Sequence, residues 1–106
     1  MIRAGQMRTR VTLQRPVESN ERGETVTTWQ TYATVWAHVR PLSAREYLMA
    51  QQVQAAITHQ VMIRYRPDVS AKHRIIAGDR TLHLAAPPQV PDDYRDQLIL
   101  LCEEVE

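Results

Sequence analysis

The longest alternating pattern in the chain is ITHQVMIRYR, which occupies residues 57–66. Its odd positions, from Ile57 to Tyr65, are mostly apolar, while its even positions are mostly polar. Alternation with a period of two is typical of a β-strand that buries one face. The pattern therefore predicts a strand whose inner face includes His59, with that histidine hydrogen-bonded inside the domain.

Shorter segments on both sides of this strand also have strand-like patterns. Thr9, Val11 and Leu13 alternate with basic or polar residues, so one face of the first strand is expected to be core and the other basic. Gly78-Asp79 is expected to form a type II′ hairpin turn, and residues 98–102 a strand buried on both faces. Strands are predicted at residues 8–14, 25–32, 35–40, 74–77, 81–85 and 98–102.

Three segments break these patterns. The segment Glu18–Glu24 is polar and contains Asn20 and Gly23, which favours a long projecting hairpin loop over a tight turn. Pro41 lacks a backbone donor and is expected to end the strand before it. Pro87, Pro88 and Pro91 predict an irregular surface loop that extends to Tyr94.

A helix is predicted from Ser43 to Ala56. Ser43-Ala-Arg-Glu46 fits a capping box, in which Ser43 caps the helix and Glu46 reaches back to its amide. Leu42 and Tyr47 stand where a hydrophobic staple would form. The apolar stripe is narrow and shares the surface with glutamines, so the helix is expected to lie on the domain.

Together these segments predict a mainly β protein with one domain over residues 1–106. About six short strands with one inserted helix do not make repeated βαβ units. The fold class is therefore a small antiparallel β-barrel or sandwich with one inserted α-helix at about Ser43–Ala56.

Composition limits the classes of function. The chain has 106 residues and a formal net charge of +1, which gives no strong attraction to nucleic acid or an anionic membrane. No apolar run is long enough to cross a bilayer, and the N-terminus lacks the apolar stretch of a signal peptide. Synthesis and use in the cytoplasm, or release by lysis, are expected.

No set of residues has the spacing of a catalytic or metal site. The four histidines lie on separate predicted strands or their approaches, without the spacing of a zinc site. Asp92-Asp93 lies in a proline-rich loop, Ser43 is explained as a helix cap, and Cys102 follows an apolar run that suggests a buried, unreactive thiol. The three glycines form no phosphate-binding array. We therefore predict no enzymatic activity and no cofactor.

Aromatic residues interleaved with arginines leave one alternative open. Trp29, Trp36 and four tyrosines could form a stacking platform for single-stranded nucleic acid, as in SH3-like or OB-like barrels. Both tryptophans fall in predicted strands, where aromatic side chains usually fill the core or cover a sheet face. The core interpretation is favoured, and nucleic-acid binding is kept as the alternative function.

The ordered string of features resembles the phage head–tail joining family, also called head-closure or head–tail adaptor proteins. Each piece is weak alone, and the specificity lies in the order and spacing over nearly the whole chain. The pieces are Ala4-Gly5, Met7–Gln14, Gly23, Trp29, Val35–Ala37, Pro41–Ser43, Glu46, Thr58-His59, Ile63–Tyr65, Arg74-Ile75, Gly78 and Leu98–Cys102.

The resemblance implies a small β-barrel with an inserted helix that joins a ring beneath the portal after DNA packaging. Members form twelve-fold rings around the DNA channel, connect the filled head to the tail, and have no enzymatic activity or cofactor. The expected partners are the portal or adaptor ring, the tail proteins and further copies of the chain, with a monomer in solution. The expected location is the virion, after assembly in the cytoplasm of a bacterial host.

Two sets of surface residues become candidates on this basis. DNA would pass the channel without sequence-specific binding, which suits a nearly neutral chain. The candidate channel or gate residues are Glu18, Glu21, Arg22 and Glu24. The candidate contacts to the portal or to neighbouring copies are Arg45, Tyr47, Gln51 and Gln52.

Overall fold

The structure is a computed structural model that describes residues 7–53, 57–91 and 95–105. These residues contain six strands and one helix. The elements, in chain order, are β1 (Thr9–Glu21), β2 (Glu24–Pro41), α1 (Ala44–Val53), β3 (His59–Arg64), β4 (Arg74–Ala77), β5 (Arg80–Leu84) and β6 (Gln97–Val105).

The strands close into an antiparallel barrel in the order β1-β2-β3-β6-β5-β4. The ring closes where Thr12–Gln14 of β1 pairs with Arg74–Ile76 of β4. The helix is inserted between β2 and β3. These features confirm the predicted fold class, and they show a barrel instead of a sandwich.

The core is formed by the inward side chains of all six strands. Alternation in 57–66 is confirmed as far as Ile63, because Ile57, His59, Val61 and Ile63 are buried. It fails at Tyr65, which is 50% exposed because β3 ends at Arg64. The core cluster comprises Val11, Leu13, Ala37, Val61, Ile63, Ile75, Ala77, Leu82, Leu84, Leu98, Leu100 and Cys102.

The first hairpin differs most from the sequence-based prediction. The strand predicted at 8–14 continues to Glu21, and the two strands predicted at 25–32 and 35–40 are one strand, β2. Instead of a long loop at 18–24, a two-residue turn at Arg22-Gly23 joins β1 to β2. Both turn residues have positive φ, 53° and 82°, which is the backbone of a type I′ turn.

A β-bulge marks the point where this hairpin leaves the barrel. Leu13 pairs with Ala33 but Gln14 pairs with Thr31, so Tyr32 is the extra residue on β2. A bulge bends and twists its strand. Beyond it, Arg15–Glu21 and Glu24–Gln30 form a projecting two-stranded segment, here called the ribbon, and the molecule measures 49 × 30 × 26 Å.

The other hairpin and the last strand agree more closely with the prediction. Gly78 has φ 64° and Asp79 has no positive φ, as a type II′ turn requires. Strand β6 is longer than predicted, and its second face is only half-buried, because Ile99 and Leu101 lie outside the core cluster. Within the described residues, no helix is long and apolar enough to cross a membrane.

Candidate interaction surfaces

The ribbon brings the four predicted channel or gate residues together at one end of the molecule. Glu18 and Glu21 lie on β1, Arg22 lies in the turn, and Glu24 begins β2. All four are exposed. Glu21 and Glu24 are direct cross-strand partners, and like charges at such positions repel each other. The tip therefore concentrates negative charge.

One face of the ribbon is fastened to the barrel where the two meet. The Arg74 side chain donates from Nε to Gln14 Oε1 at 2.7 Å, and its guanidinium lies 4.3 Å from the centre of the Trp29 ring. Trp29 also meets the His83 ring edge-on, with centroids 5.5 Å apart. These contacts tie the β2 strand of the ribbon, and Gln14 just before its β1 strand, to β4 and β5, so the first part of the ribbon has a fixed direction.

The interpretation of both tryptophans as core residues was wrong. Trp29 is half-buried and lies outside the core cluster, while Trp36 is 52% exposed. Both side chains instead stack against arginines on the outer surface of the barrel. Their position on strands was correct. Trp36 alternates with Val35 and Ala37, which pack in or against the core, so its ring faces outward, whereas Trp29 lies beyond the bulge at Tyr32.

Tyr32 and His73 form a polar pair on another side of the ribbon base. The Tyr32 hydroxyl lies 2.7 Å from His73 Nδ1, and the backbone N–H of Ser70 donates to the same nitrogen at 3.4 Å. Because Nδ1 accepts from Ser70, the neutral ring carries its proton on Nε2 and the Tyr32 hydroxyl donates. Burial, and next the charge of Asp68, raise the pKa of Tyr32 to about 12.

The Tyr32–His73 pair predicts a loss of stability on mild acidification. Burial lowers the pKa of His73, and Arg15 lowers it further, although Asp68 opposes the change. The folded chain therefore binds this proton less tightly than the unfolded chain. The stabilisation from neutral His73 should be complete above the ordinary histidine pKa of about 6.5, and should be lost as pH falls through the folded value.

An NMR titration of His73, with urea unfolding at several pH values, measures this effect. Tyr32→Phe is the matched variant, because it removes the hydroxyl donor that favours the neutral ring; its His73 pKa should rise. Asp68 does not obscure the window, because Arg66 lowers its pKa further below the histidine range. A His73 pKa at or above that of an unstructured peptide would contradict the assignment.

Helix α1 begins as predicted. The backbone N–H of Glu46 donates to Ser43 Oγ at 3.2 Å, and the N–H of Ser43 donates to Glu46 Oε1 at 3.1 Å, which confirms the capping box. Helix α1 ends at Val53 in the described structure, and the rest of the predicted helix, to Ala56, lies outside the described residues. The cap determines where the helix starts.

A salt bridge holds the start of the helix against the barrel. Arg40 donates to both carboxylate oxygens of Glu46 at 2.8 Å and to Gln60 Oε1 at 2.8 Å. The Arg40 hydrogen bonds, followed by those of Ser43, lower the pKa of Glu46 to about 2. Glu46 therefore stays charged through the physiological range, and the start of α1 is held at the end of β2.

The candidate contact residues of α1 lie on its exposed surface. Arg45, Gln51 and Gln52 are exposed, and Tyr47 is 42% exposed. Leu48 and Met49 are also exposed, at 66% and 61%. Several apolar side chains on a surface helix are typical of a protein-binding site. The prediction that α1 lies on the domain is confirmed.

A cleft that the sequence did not reveal is lined by residues of β2, of the end of β3 and of the segments next to them. It has a volume of about 340 Å³. Two half-exposed aromatic side chains, Trp36 and Tyr65, flank it, and the Arg10 guanidinium lies 5.0 Å from the centre of the Trp36 ring. We call it the arginine–aromatic cleft; its lining residues are Met7, Val35, Trp36, Arg64, Tyr65 and Arg66.

The described residues offer neither a metal-binding cluster nor a reactive thiol. Within 7–53, 57–91 and 95–105, no group of three or more His, Cys, Asp or Glu side chains could hold a metal ion. Burial raises the pKa of the Cys102 thiol to about 12, so it is not a nucleophile near neutral pH. His59 is buried and its Nδ1 lies 2.9 Å from Thr58 Oγ1, as its predicted structural role requires. Asp92 and Asp93 lie outside the described residues.

The described residues thus form a closed barrel that carries an exposed ribbon, an exposed helix and a surface cleft. The family model described as phage head completion protein matches residues 2–105. The chain therefore belongs to the phage head completion protein family, in agreement with the resemblance found in its sequence.

Individual relatives agree with this family. The chain is 37% identical over 79 residues to head completion protein gp16 of Bacillus phage SPP1, which covers 74% of this chain and 72% of that protein. The solution structure of protein SF1141 from Shigella flexneri 2a is 30% identical and superposes with a TM-score of 0.81 over 97% of this chain and 96% of that one.

A more distant structure shares the fold alone. A chain in the virion of a native gene transfer agent particle is 20% identical, with a TM-score of 0.65 over 91% of this chain and 93% of that one. Membership of the head completion family gives the protein a structural role at the head and tail of a phage.

Proposed function

We propose that this chain assembles into a ring on the portal side of the DNA-filled head and connects that head to the tail. The observation that carries the proposal is the pair of appendages on a closed barrel. The ribbon residues Glu18–Thr27, here called the outer ribbon, and the exposed surface of α1 are not covered by other described residues. Such surfaces are expected where several copies and several partners must be contacted at once.

The ring contact must be heterologous, because rotational closure places different surfaces of adjacent copies together. Twelve copies are proposed, with a monomer before the portal supplies a template. Assembly would take place in the host cytoplasm and the finished protein would remain in the virion. No catalytic step and no cofactor are needed for this role.

The tip residues Glu18, Glu21, Arg22 and Glu24 are proposed to lie at the channel or its gate. Three of these four residues are acidic, and carboxylates repel DNA phosphates at short range. A channel lined mainly by such residues would let DNA pass without being held, whereas clustered arginines would bind it. The long ribbon gives these charges the reach to leave the barrel surface.

Helix α1 is proposed as the contact with the portal or a neighbouring copy. Tyr47 offers an exposed aromatic ring with a polar end, and Arg45 offers a cation, both of which are frequent in protein interfaces. Gln51 and Gln52 lie one turn further along the same helix. Since Arg40 and Glu46 hold the helix start, these side chains are presented in a defined orientation.

Deletion of the gene from an inducible phage genome tests the proposal. Electron microscopy of the lysate should show DNA-filled heads that are not joined to tails, and infectious particles should return when the chain is supplied from a plasmid. Normal infectious particles without the chain would refute the proposal.

The arginine–aromatic pairs favour nucleic-acid binding as a second candidate function. Three arginines lie over aromatic rings, at 5.0, 5.9 and 4.3 Å from the ring centres. A gel shift with single-stranded DNA that weakens steeply with salt would support this alternative.

A further inference from the structure

One face of the ribbon has a chemical pattern that its own barrel does not use. Cross-strand partners point to the same face, so Val17, Glu21, Glu24 and Val26 lie together. We call these four residues the valine–glutamate face. Val17 is 40% exposed, and no described residue forms a salt bridge with either glutamate. Ser19 and Thr28 share this face as the partners of Val26 and Val17, so the face carries two valines between small polar residues and ends in two carboxylates.

The two carboxylates are placed where they repel each other. Glu21 and Glu24 face each other across the turn, with Cβ atoms about 5 Å apart in such a pair. Arg22, the nearest cation in sequence, occupies the turn itself with a positive φ. A cation from outside the ribbon would remove this repulsion, so the arrangement points to a basic partner.

The arginine–aromatic cleft has the complementary chemistry. Arg64 is exposed and forms no salt bridge with a described carboxylate, whereas Arg66 already binds Asp68 in a bidentate pair. Trp36 and Tyr65 offer half-exposed apolar rings beside these cations. The cleft thus fits an extended segment with aliphatic side chains next to carboxylates.

The ribbon of a given molecule cannot reach its own cleft. Thr28, the partner of Val17, is eight residues from Trp36 along the continuous strand β2, which is about 26 Å of extended chain. That length is close to the 26 and 30 Å widths of the molecule. The face and the cleft of one copy therefore stay apart, and a ribbon that fills a cleft must come from another copy.

We infer that the valine–glutamate face of each copy docks in the arginine–aromatic cleft of the next copy. This inference rests on the proposed ring and names the surfaces that close it. The valines pack on Trp36 and Tyr65, and the two glutamates bind Arg64 of the neighbour. This docking takes Glu21 and Glu24 out of the proposed channel lining, and of the four tip residues it leaves Glu18 and Arg22, which lie outside this face, for the channel. Because the contact is small, free copies associate weakly and a template is required.

Paired cysteines test the contact directly. Val17→Cys and Tyr65→Cys are made separately and together in the full chain, and are oxidised at high protein concentration and in assembled particles. Cys102 is fully buried and does not interfere. The double variant should give a ladder of dimers, trimers and larger species, while each single variant should stay monomeric. Thr27→Cys with Tyr65→Cys is the control, since Thr27 lies on the opposite face.

Each outcome decides the inference. Dimers from Val17→Cys alone would show symmetric ribbon contacts and overturn it, as would a control ladder equal to that of the test pair. Infectious particles without cross-links would overturn the docking but leave the proposed function intact. Normal particles without the chain would overturn both.

A charge exchange provides an independent measurement. Arg64→Glu should reduce the yield of cross-linked ladder on the order of tenfold, because it places a third carboxylate at the contact. Adding Glu21→Arg and Glu24→Arg to that variant should restore the ladder. Failure of the exchange to restore cross-linking, in a chain that folds, would contradict the assigned pairing.

Discussion

Removal of the outer ribbon is expected to abolish head–tail joining while the barrel still folds. The variant replaces Glu18–Thr27 with Asn-Gly between Val17 and Thr28. Val17 and Thr28 lie four pairs from Glu21 and Glu24, so they form the same type of pair that the natural turn closes. Asn-Gly suits the type I′ turn that this pair requires. Infectivity should fall to the level of the deletion strain.

The barrel should tolerate this excision because its anchoring contacts remain. Trp29, Arg74 and Gln14 are all retained, and none of the ten removed residues belongs to the core cluster. A single cooperative urea transition would show that the shortened chain folds. Thr27→Ser with Asn20→Ser is the full-length control and should support normal infectivity. A shortened chain that restores infectivity would show that the outer ribbon is dispensable.

The barrel could be predicted because its strands bury one face and therefore alternate. Val11, Leu13, Val61 and Ile63 all occupy the inner positions that the period of two assigns to them. The helix start was equally clear, since the capping box is a local interaction between residues three apart. In both cases the physical cause lies within a few residues of the pattern.

The ribbon could not be predicted because it buries too little to produce a pattern. Its outer residues are mostly polar and mostly exposed on both faces, so they show no alternation of apolar and polar side chains. Asn20 and Gly23 suggested a loop, but the connection is a turn formed by Arg22 and Gly23 alone. The threonine-rich run of β2 did indicate a strand, although its continuity through Ala33 and Thr34 depends on pairing with β1.

The cleft was missed for a different reason. Tyr65 continues the alternation of residues 57–66, yet β3 ends at Arg64 and the ring turns outward. Trp36 lies one residue from buried Ala37 and faces solvent. Their proximity comes from the pairing of β2 with β3, which brings Ala37 opposite Ile63. Long-range register of this kind is absent from any local sequence window.

The largest loss of stability is expected for Leu100→Ala. Leu100 is fully buried on β6 and pairs with Val61 of β3, near the middle of the core. Replacing a buried leucine with alanine removes apolar contacts and leaves a cavity, at a cost of about 2–5 kcal/mol. A domain of this size has about 5–15 kcal/mol in total. Urea unfolding should therefore show a much lower midpoint with a similar slope.

Leu48→Ala is the matched control, because it makes the same chemical change on an exposed side chain. Leu48 is 66% exposed on α1, and its loss should change the free energy of unfolding by no more than about 0.5 kcal/mol. Equal costs at the two positions would contradict the placement of the core. If α1 contacts the portal, Leu48→Ala should nevertheless reduce infectivity, since the apolar contact is made only after assembly. Stability and infectivity would then respond to different leucines, because the barrel maintains the fold and the appendages make the contacts.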